Sequence, residues 1–128
     1  MGMPAAKKGD FVTAIDMHMI QPPPPSPPTL VPHPFTGIVD GNLSNNVKMM
    51  GSPAATKDST VSNKPSHVPI GGTFVKPPTN SGTIVNGSLT VFINGKPAAR
   101  NGDTVITCND PADLPVGTVV ANGTVLIG

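Results

Sequence analysis

The 128-residue chain holds 14 Gly, 17 Pro and 4 Phe but no Trp or Tyr, so any core must be assembled from small side chains. Charged residues make up only 12% and the net charge is +1, which leaves no electrostatic case for nucleic acid or an anionic membrane surface. Apolar runs fall far short of the roughly 18 residues of a membrane span, the N-terminus lacks the apolar segment of a signal peptide, and a single Cys excludes an internal disulfide.

The first element is Gly2-Met3-Pro4-Ala5-Ala6, with Val12 six residues beyond the second alanine. Proline has no N–H to give a sheet ladder, so each such segment predicts a corner between strands, and the paired alanines predict close packing. His18 lies 14 residues after Pro4. Gln21 to Pro34 then carries eight prolines in 14 residues and predicts a stiff surface loop, braced against the body by Leu30, Val31 and His33. Val47 to Met50 predicts a short strand leading into a second copy, Gly51-Ser52-Pro53-Ala54-Ala55 with Val61; His67 again lies 14 residues after its proline.

Leu89 to Ile93 alternates Leu89, Val91 and Ile93 with Thr90 and Phe92, which predicts a strand ended by an Asn94-Gly95 turn. The third copy follows as Gly95-Lys96-Pro97-Ala98-Ala99, then Arg100 and Val105, with Cys108 11 residues after its proline. The glycine two residues before each proline is expected at positive φ. Pro111 to Pro115 predicts a second loop, with a single helical turn allowed around Asp110 to Leu114. Val125 to Gly128 resembles the segments before Pro53 and Pro97, so the last strand should close a ring beside the first copy, making the termini neighbours.

Three copies in one chain predict an all-β body of three pseudo-symmetric units with long loops, a single domain over residues 1–128. Equivalent positions in the units would bring His18, His67 and Cys108 towards one axis, and His33 can supply a fourth ligand. Four imidazole and thiolate donors suit one tetrahedral Zn²⁺ per chain, and a filled four-ligand site is structural. Lys7, Lys8 and Arg100 are too few for a binding patch.

The motif Pro97-Ala98-Ala99-Arg100, with degenerate copies at Pro4-Ala5-Ala6-Lys7 and Pro53-Ala54-Ala55-Thr56, resembles the PAAR family. The stretches from Pro32-His33-Pro34-Phe35 through Asn109-Asp110-Pro111 are similar to that family as well. The resemblance implies a small β cone holding zinc near its apex through His18, His33, His67 and Cys108. It further implies a spike-tip protein, one per trimer, on the trimeric valine-glycine repeat spike of a bacterial type VI secretion system or a related contractile injection particle. Such a tip would sharpen the spike for membrane piercing and deliver effector proteins. It would be made in the cytoplasm, loaded on the apparatus and sent out of the cell, with no stable membrane anchor. The segment from first copy to closing strand implies a stand-alone tip without an effector extension.

Two other readings differ in kind. A hydrolase would use Cys108 as nucleophile, His67 as base and Asp110 as orienter, or three His on a catalytic zinc with water in the fourth place. A proline-rich signalling ligand would bind through Gln21–Pro34 alone. No phosphate loop or nucleophile elbow accompanies either, and the repeated residues are Pro, Ala and Gly rather than acid-base groups.

Overall fold

The structure, a computed structural model, describes residues 2–128. Alternation of side chains along the chain builds two long strands first, β2 (Phe11–Gln21) and β3 (Thr29–Gly41). Along β2, Val12, Asp16, His18 and Ile20 are buried while Phe11, Thr13 and Ile15 face out, the period of two expected of a half-buried strand. Shorter strands follow the same rule: β6 (Thr60–Asn63), β8 (Ser81–Ile84), β11 (Thr104–Thr107) and β12 (Leu114–Val120), while the two-residue β7 (Thr73–Phe74) pairs with the far end of β2. Antiparallel pairing runs β2–β3–β6–β8–β11–β12 and then from β12 back to β2, closing a small β-barrel beyond which β2 and β3 continue as a paired ribbon. Among the described residues there is no helix, so Asp110 to Leu114 forms no helical turn.

The three Gly-x-Pro-Ala-Ala copies meet at one end of this barrel. Ala6 N–H donates to Ala99 C=O at 2.9 Å, Ala99 N–H to Ala55 C=O at 3.1 Å, and Ala55 N–H to Ala6 C=O at 3.0 Å. This is a closed ring of three backbone hydrogen bonds, one donated by each unit. A second ring surrounds it, from Lys8 N–H to Pro53, Lys57 N–H to Pro97 and Asn101 N–H to Pro4. Ala6, Ala55 and Ala99 are each 1% exposed, and side chains larger than methyl have no place where three backbones converge.

Each unit is entered by a two-stranded pair. β4 (Lys48–Met49) pairs with β5 (Ser52–Pro53), and β9 (Phe92–Ile93) pairs with β10 (Lys96–Pro97). The first copy has no preceding strand, and β13 (Leu126–Ile127) takes that place beside β1 (Met3–Pro4), with Met3 opposite Ile127. The two ends of the chain are therefore neighbours, as the repeat predicts. Met50-Gly51 and Asn94-Gly95 all have φ between 52° and 84°, the I′ geometry of tight hairpins. Each unit is left by a turn whose third residue has positive φ: Gly9, Asp58 and Gly102. The residue after it clasps the turn with its side chain, Asp10 to Lys7 N–H, Ser59 to Thr56 N–H and Asp103 to Arg100 N–H, at 2.6 to 3.0 Å. The Arg100 guanidinium adds a 2.9 Å bond to Asp103.

Above the alanines sits a layer of Val12, Val61 and Val105, each opposite a glycine across the strand pair: Gly37, Gly82 and Gly117. All three valines are at most 1% exposed. Phe35, Val39, Ile84, Val119 and Cys108 complete this main core. A second cluster of Ala5, Ala54, Ala98, Ile93 and Ile127 lies under the hairpins.

Three local expectations change. The proline-rich segment, read as a loop over 21–34, is a loop only between β2 and β3; Thr29 onward is strand. β3 pairs with β6 only from Gly37 to Gly41, so Pro32 and Pro34 lie on a stretch whose outer edge carries no ladder and lose nothing there. The strand expected over Leu89 to Ile93 shrinks to Phe92–Ile93, because Ser88 Oγ accepts from the N–H groups of Thr90 and Val91 and winds the chain into a turn. The second proline loop is also shorter, since β12 begins at Leu114.

Adding a methyl group separates crowding from backbone strain. A Cβ at Gly37 would strike Val61 Cγ1 and stand 2.6 Å from Phe35 Cε1, whereas at Gly51, with φ +84°, nothing lies within 4 Å. In urea unfolding, Gly37→Ala should cost about 3 kcal/mol and Gly51→Ala about 1 kcal/mol. Equal losses would contradict the close-packed valine layer.

Candidate metal centre

The end of the barrel opposite the alanine ring collects the chemistry. β2 carries Asp16 and His18 inward, two residues apart on one face, and β3 places His33 directly opposite Asp16. β11 ends at Thr107, and Cys108 turns inward beyond it, so that Thr107, Cys108 and Asn109 are buried in succession. The loop after β6 supplies His67, whose backbone N–H donates to Asn80 Oδ1 at 2.7 Å. Asn63 on β6 holds the same oxygen at 3.1 Å. The His67 side chain is 1% exposed even though its residue as a whole is half-buried.

Asp16, His18, His67 and Cys108 each bring one ligand atom within 4.8 Å of the others. Cys108 Sγ lies 3.7 Å from His18 Nε2 and 3.5 Å from Asp16 Oδ2, and His67 Nε2 lies 2.9 Å from Asp16 Oδ2. The His33 ring stands beside this group, its centroid 5.6 Å from that of His18 and 5.7 Å from that of His67. Its Nδ1 lies 2.8 Å from Val31 C=O, which makes it the protonated nitrogen and leaves Nε2 as a bare acceptor. That Nε2 is buried without any partner. Of the residues expected from the sequence, the structure thus gathers His18, His67 and Cys108 in one tight group and sets His33 at its edge. Asp16 was missed, although its place is legible: Val12, Ala14, Asp16 and His18 share the inward face, and an acid on that stripe needs a partner.

The residues fit a metal ion. A buried imidazole nitrogen without a hydrogen bond costs free energy that a cation would recover, and imidazole, thiolate and carboxylate all bind divalent transition metals. His18 faces the cluster through Nε2, while its Nδ1 lies 3.6 Å from Asp110 Oδ2, ion-pair range but beyond a hydrogen bond. A carboxylate behind a ligand imidazole fixes ring orientation and raises basicity. Burial, then His67 nearby, holds His18 below its ordinary value of 6.5, keeping it neutral and able to bind. Burial, then Asp16, pushes the Cys108 thiol up, so a metal must displace its proton.

The same facts bear on the nucleophile arrangement. Asp110 faces His18 rather than His67, and a thiol pushed up by burial is poor at forming the thiolate that attack requires. The cleft of about 300 Å³ beside His33 and His67 is lined by Pro34, Pro65, Val68 and Ile70, without further acid-base groups.

Comparison with known proteins gives one family. A family model described as PAAR motif matches residues 75–128, consistent with a PAAR-repeat protein. That segment holds the third copy, Cys108 and the closing strand. The hydrogen-bond rings repeat its corner geometry at Pro4 and Pro53, outside the matched range. No curated protein matches the chain.

Elemental mass spectrometry of chain purified without added metal should find one ion per molecule, and Cys108→Ala should lose it together with a large drop in melting temperature. A structural ion of this kind contributes on the order of 10 kcal/mol, so an unchanged melting curve would remove the metal core. Chelator-stripped protein should show the His18 signature. Because folding lowers this group's pKa, the unfolded chain takes the proton first. Stability is therefore full above about pH 6.5 and falls as the pH drops below it, as a series of urea midpoints from pH 8 to 5 would read.

Proposed function

We propose that this chain, which carries the PAAR motif over residues 75–128, is the tip of a contractile injection spike and that it caps a trimeric valine-glycine repeat protein, one tip per trimer. The observation that carries the reading is the closed three-fold ring of Ala6, Ala55 and Ala99. A single chain with this internal symmetry offers three near-equivalent surfaces to three identical partner chains, which a body without it could not do.

The end bearing that ring supports docking in its side chains too. Leu126, Phe92 and Lys48 hold equivalent register positions, opposite Pro4, Pro97 and Pro53. Leu126 and Phe92 are both 58% exposed, and Met3, Met50 and Leu89 add apolar surface nearby in sequence. Phe92 and Leu126, at equivalent places in two of the three units, are the apolar groups this reading sets against the partner. The metal is zinc in this reading, and its role is structural: it ties β2, β3, the β6–β7 loop and the end of β11 into one hard point at the far end. The tip is made in the bacterial cytoplasm and leaves on the apparatus, with effectors as further passengers.

Mixing the chain with a purified spike trimer should give a complex of one tip to three spike chains by light scattering. Phe92→Asp with Leu126→Asp should abolish the complex while metal content and melting temperature hold. A complex that survives both changes would place the docking face elsewhere and defeat the capping geometry.

A further inference from the structure

Four Asn-Gly pairs occur in the chain: Asn86-Gly87, Asn94-Gly95, Asn101-Gly102 and Asn122-Gly123. This dipeptide is a chemically labile amide, because glycine leaves its own backbone nitrogen unshielded beside the side-chain carbonyl of the asparagine. Attack by that nitrogen needs two freedoms. The asparagine side chain must be able to swing onto it, and the nitrogen must not be engaged in a hydrogen bond.

Three of the pairs are denied at least one of these. Asn86 Oδ1 accepts from Thr104 N–H at 2.7 Å, and a Cβ on Gly87 would stand only 2.7 Å from the Ala98 carbonyl oxygen. Asn94 is held at both side-chain atoms, Oδ1 by Ser44 Oγ and Nδ2 by Asn46 Oδ1. Asn101 Oδ1 accepts from Ala121 N–H at 3.0 Å, and Gly102 N–H donates to Val119 C=O at 2.8 Å.

Asn122 differs on every count. It is exposed, and among the described residues neither its side chain nor the Gly123 N–H has a hydrogen-bond partner. The atoms nearest a Cβ placed on Gly123 are the ends of two flexible side chains, Met50 Sδ at 2.9 Å and Lys7 Nζ at 3.6 Å. The repeat explains the difference. Val47, Val91 and Val125 each accept from an alanine N–H of the motif, so Ser44, Ser88 and Asn122, three residues earlier, are equivalent. Ser44 Oγ accepts from Asn46 and Val47 N–H, and Ser88 Oγ from Thr90 and Val91 N–H. In the first unit Thr124 N–H goes to Met50 Sδ instead, at 3.2 Å, and Asn122 is left unengaged.

We propose that Asn122-Gly123 is a spontaneous modification site, the pair that deamidates in the folded chain, and that its product loosens the closing strand β13. The Gly123 nitrogen bonds to Asn122 Cγ, and its proton leaves with the side-chain amide group as ammonia. Water then opens the cyclic imide to aspartate or to isoaspartate. Isoaspartate routes the main chain through its β-carbon, which adds a methylene between Ala121 and β13, the strand that pairs with β1. The reaction needs only water, and the proposal rests on neither the metal-centre nor the spike-tip reading.

The full chain, held in warm, mildly alkaline buffer and mapped by mass spectrometry, tests this beside the same chain unfolded in urea. When folded, Asn122 should convert first, at least about fivefold faster than any other pair, as the absence of a single restraining hydrogen bond implies. Unfolded, the four rates should converge. Aspartate and isoaspartate peptides should both appear. Asn122→Ser, the residue of the other two units, should abolish the early conversion, and the aged wild type should melt below the aged variant. Equal rates at the four pairs in the folded chain, or earlier conversion of another pair, would overturn the proposal. So would an Asn122 that stays intact while the unfolded chain converts, or ageing that leaves the melting temperature unchanged. These readings come from the wild type itself, so a poorly folding variant does not obscure them.

Discussion

Everything in this fold is arranged around three backbone hydrogen bonds, those joining Ala6, Ala55 and Ala99 in a closed cycle. A cycle of this kind forms only where three chain segments approach one axis, and that approach forbids side chains beyond methyl at the contact. The requirement explains why the repeated unit is spelled with alanines and why a proline precedes them: Pro4, Pro53 and Pro97 have no N–H to satisfy, yet their carbonyls feed the second ring. The valine layer, the facing glycines and the short hairpins all follow from stacking strands outward from that axis.

The two ends of the barrel treat symmetry differently. Around the alanines the three units match position for position, down to the turn residues Gly9, Asp58 and Gly102 and the clasping side chains Asp10, Ser59 and Asp103. At the other end the units diverge: the first contributes Asp16, His18 and His33, the second contributes His67 from a loop, and the third gives Cys108 with Thr107, Asn109 and Asp110 around it. On the proposed reading, symmetry serves a surface that meets three identical chains. The candidate metal centre instead draws a different donor set from each unit.

Much of the scaffold was readable because its determinants are local. Gly-x-Pro-Ala-Ala marks the corners, the hairpin glycines mark the turns, and the likeness of Val125–Gly128 to the segments before Pro53 and Pro97 gave the closing pair. The failures came where a side chain competes with the ladder. Ser88 captured two backbone N–H groups and shortened the strand after it, and unpaired edges let Pro32 and Pro34 stay in β3, where proline count suggested a loop. At the candidate metal centre, the equal offsets of His18 and His67 from their prolines foretold that the two rings would come together. Asp16 has no counterpart in the other units, and its significance appears only when the inward stripe of β2 is followed residue by residue.

The pairing of β1 with β13 has a kinetic side. Met3 finds its partner Ile127 at the far end of the sequence, whereas Met49 finds Ser52 and Ile93 finds Lys96 within a few residues. Two corners can therefore assemble as soon as their own segments exist, while the third waits for β13. Pairings of such long sequence separation carry the largest loop-closure cost and slow folding. The alanine cycle itself joins segments as far apart as Ala6 and Ala99, so it too is a long-range closure rather than a local one.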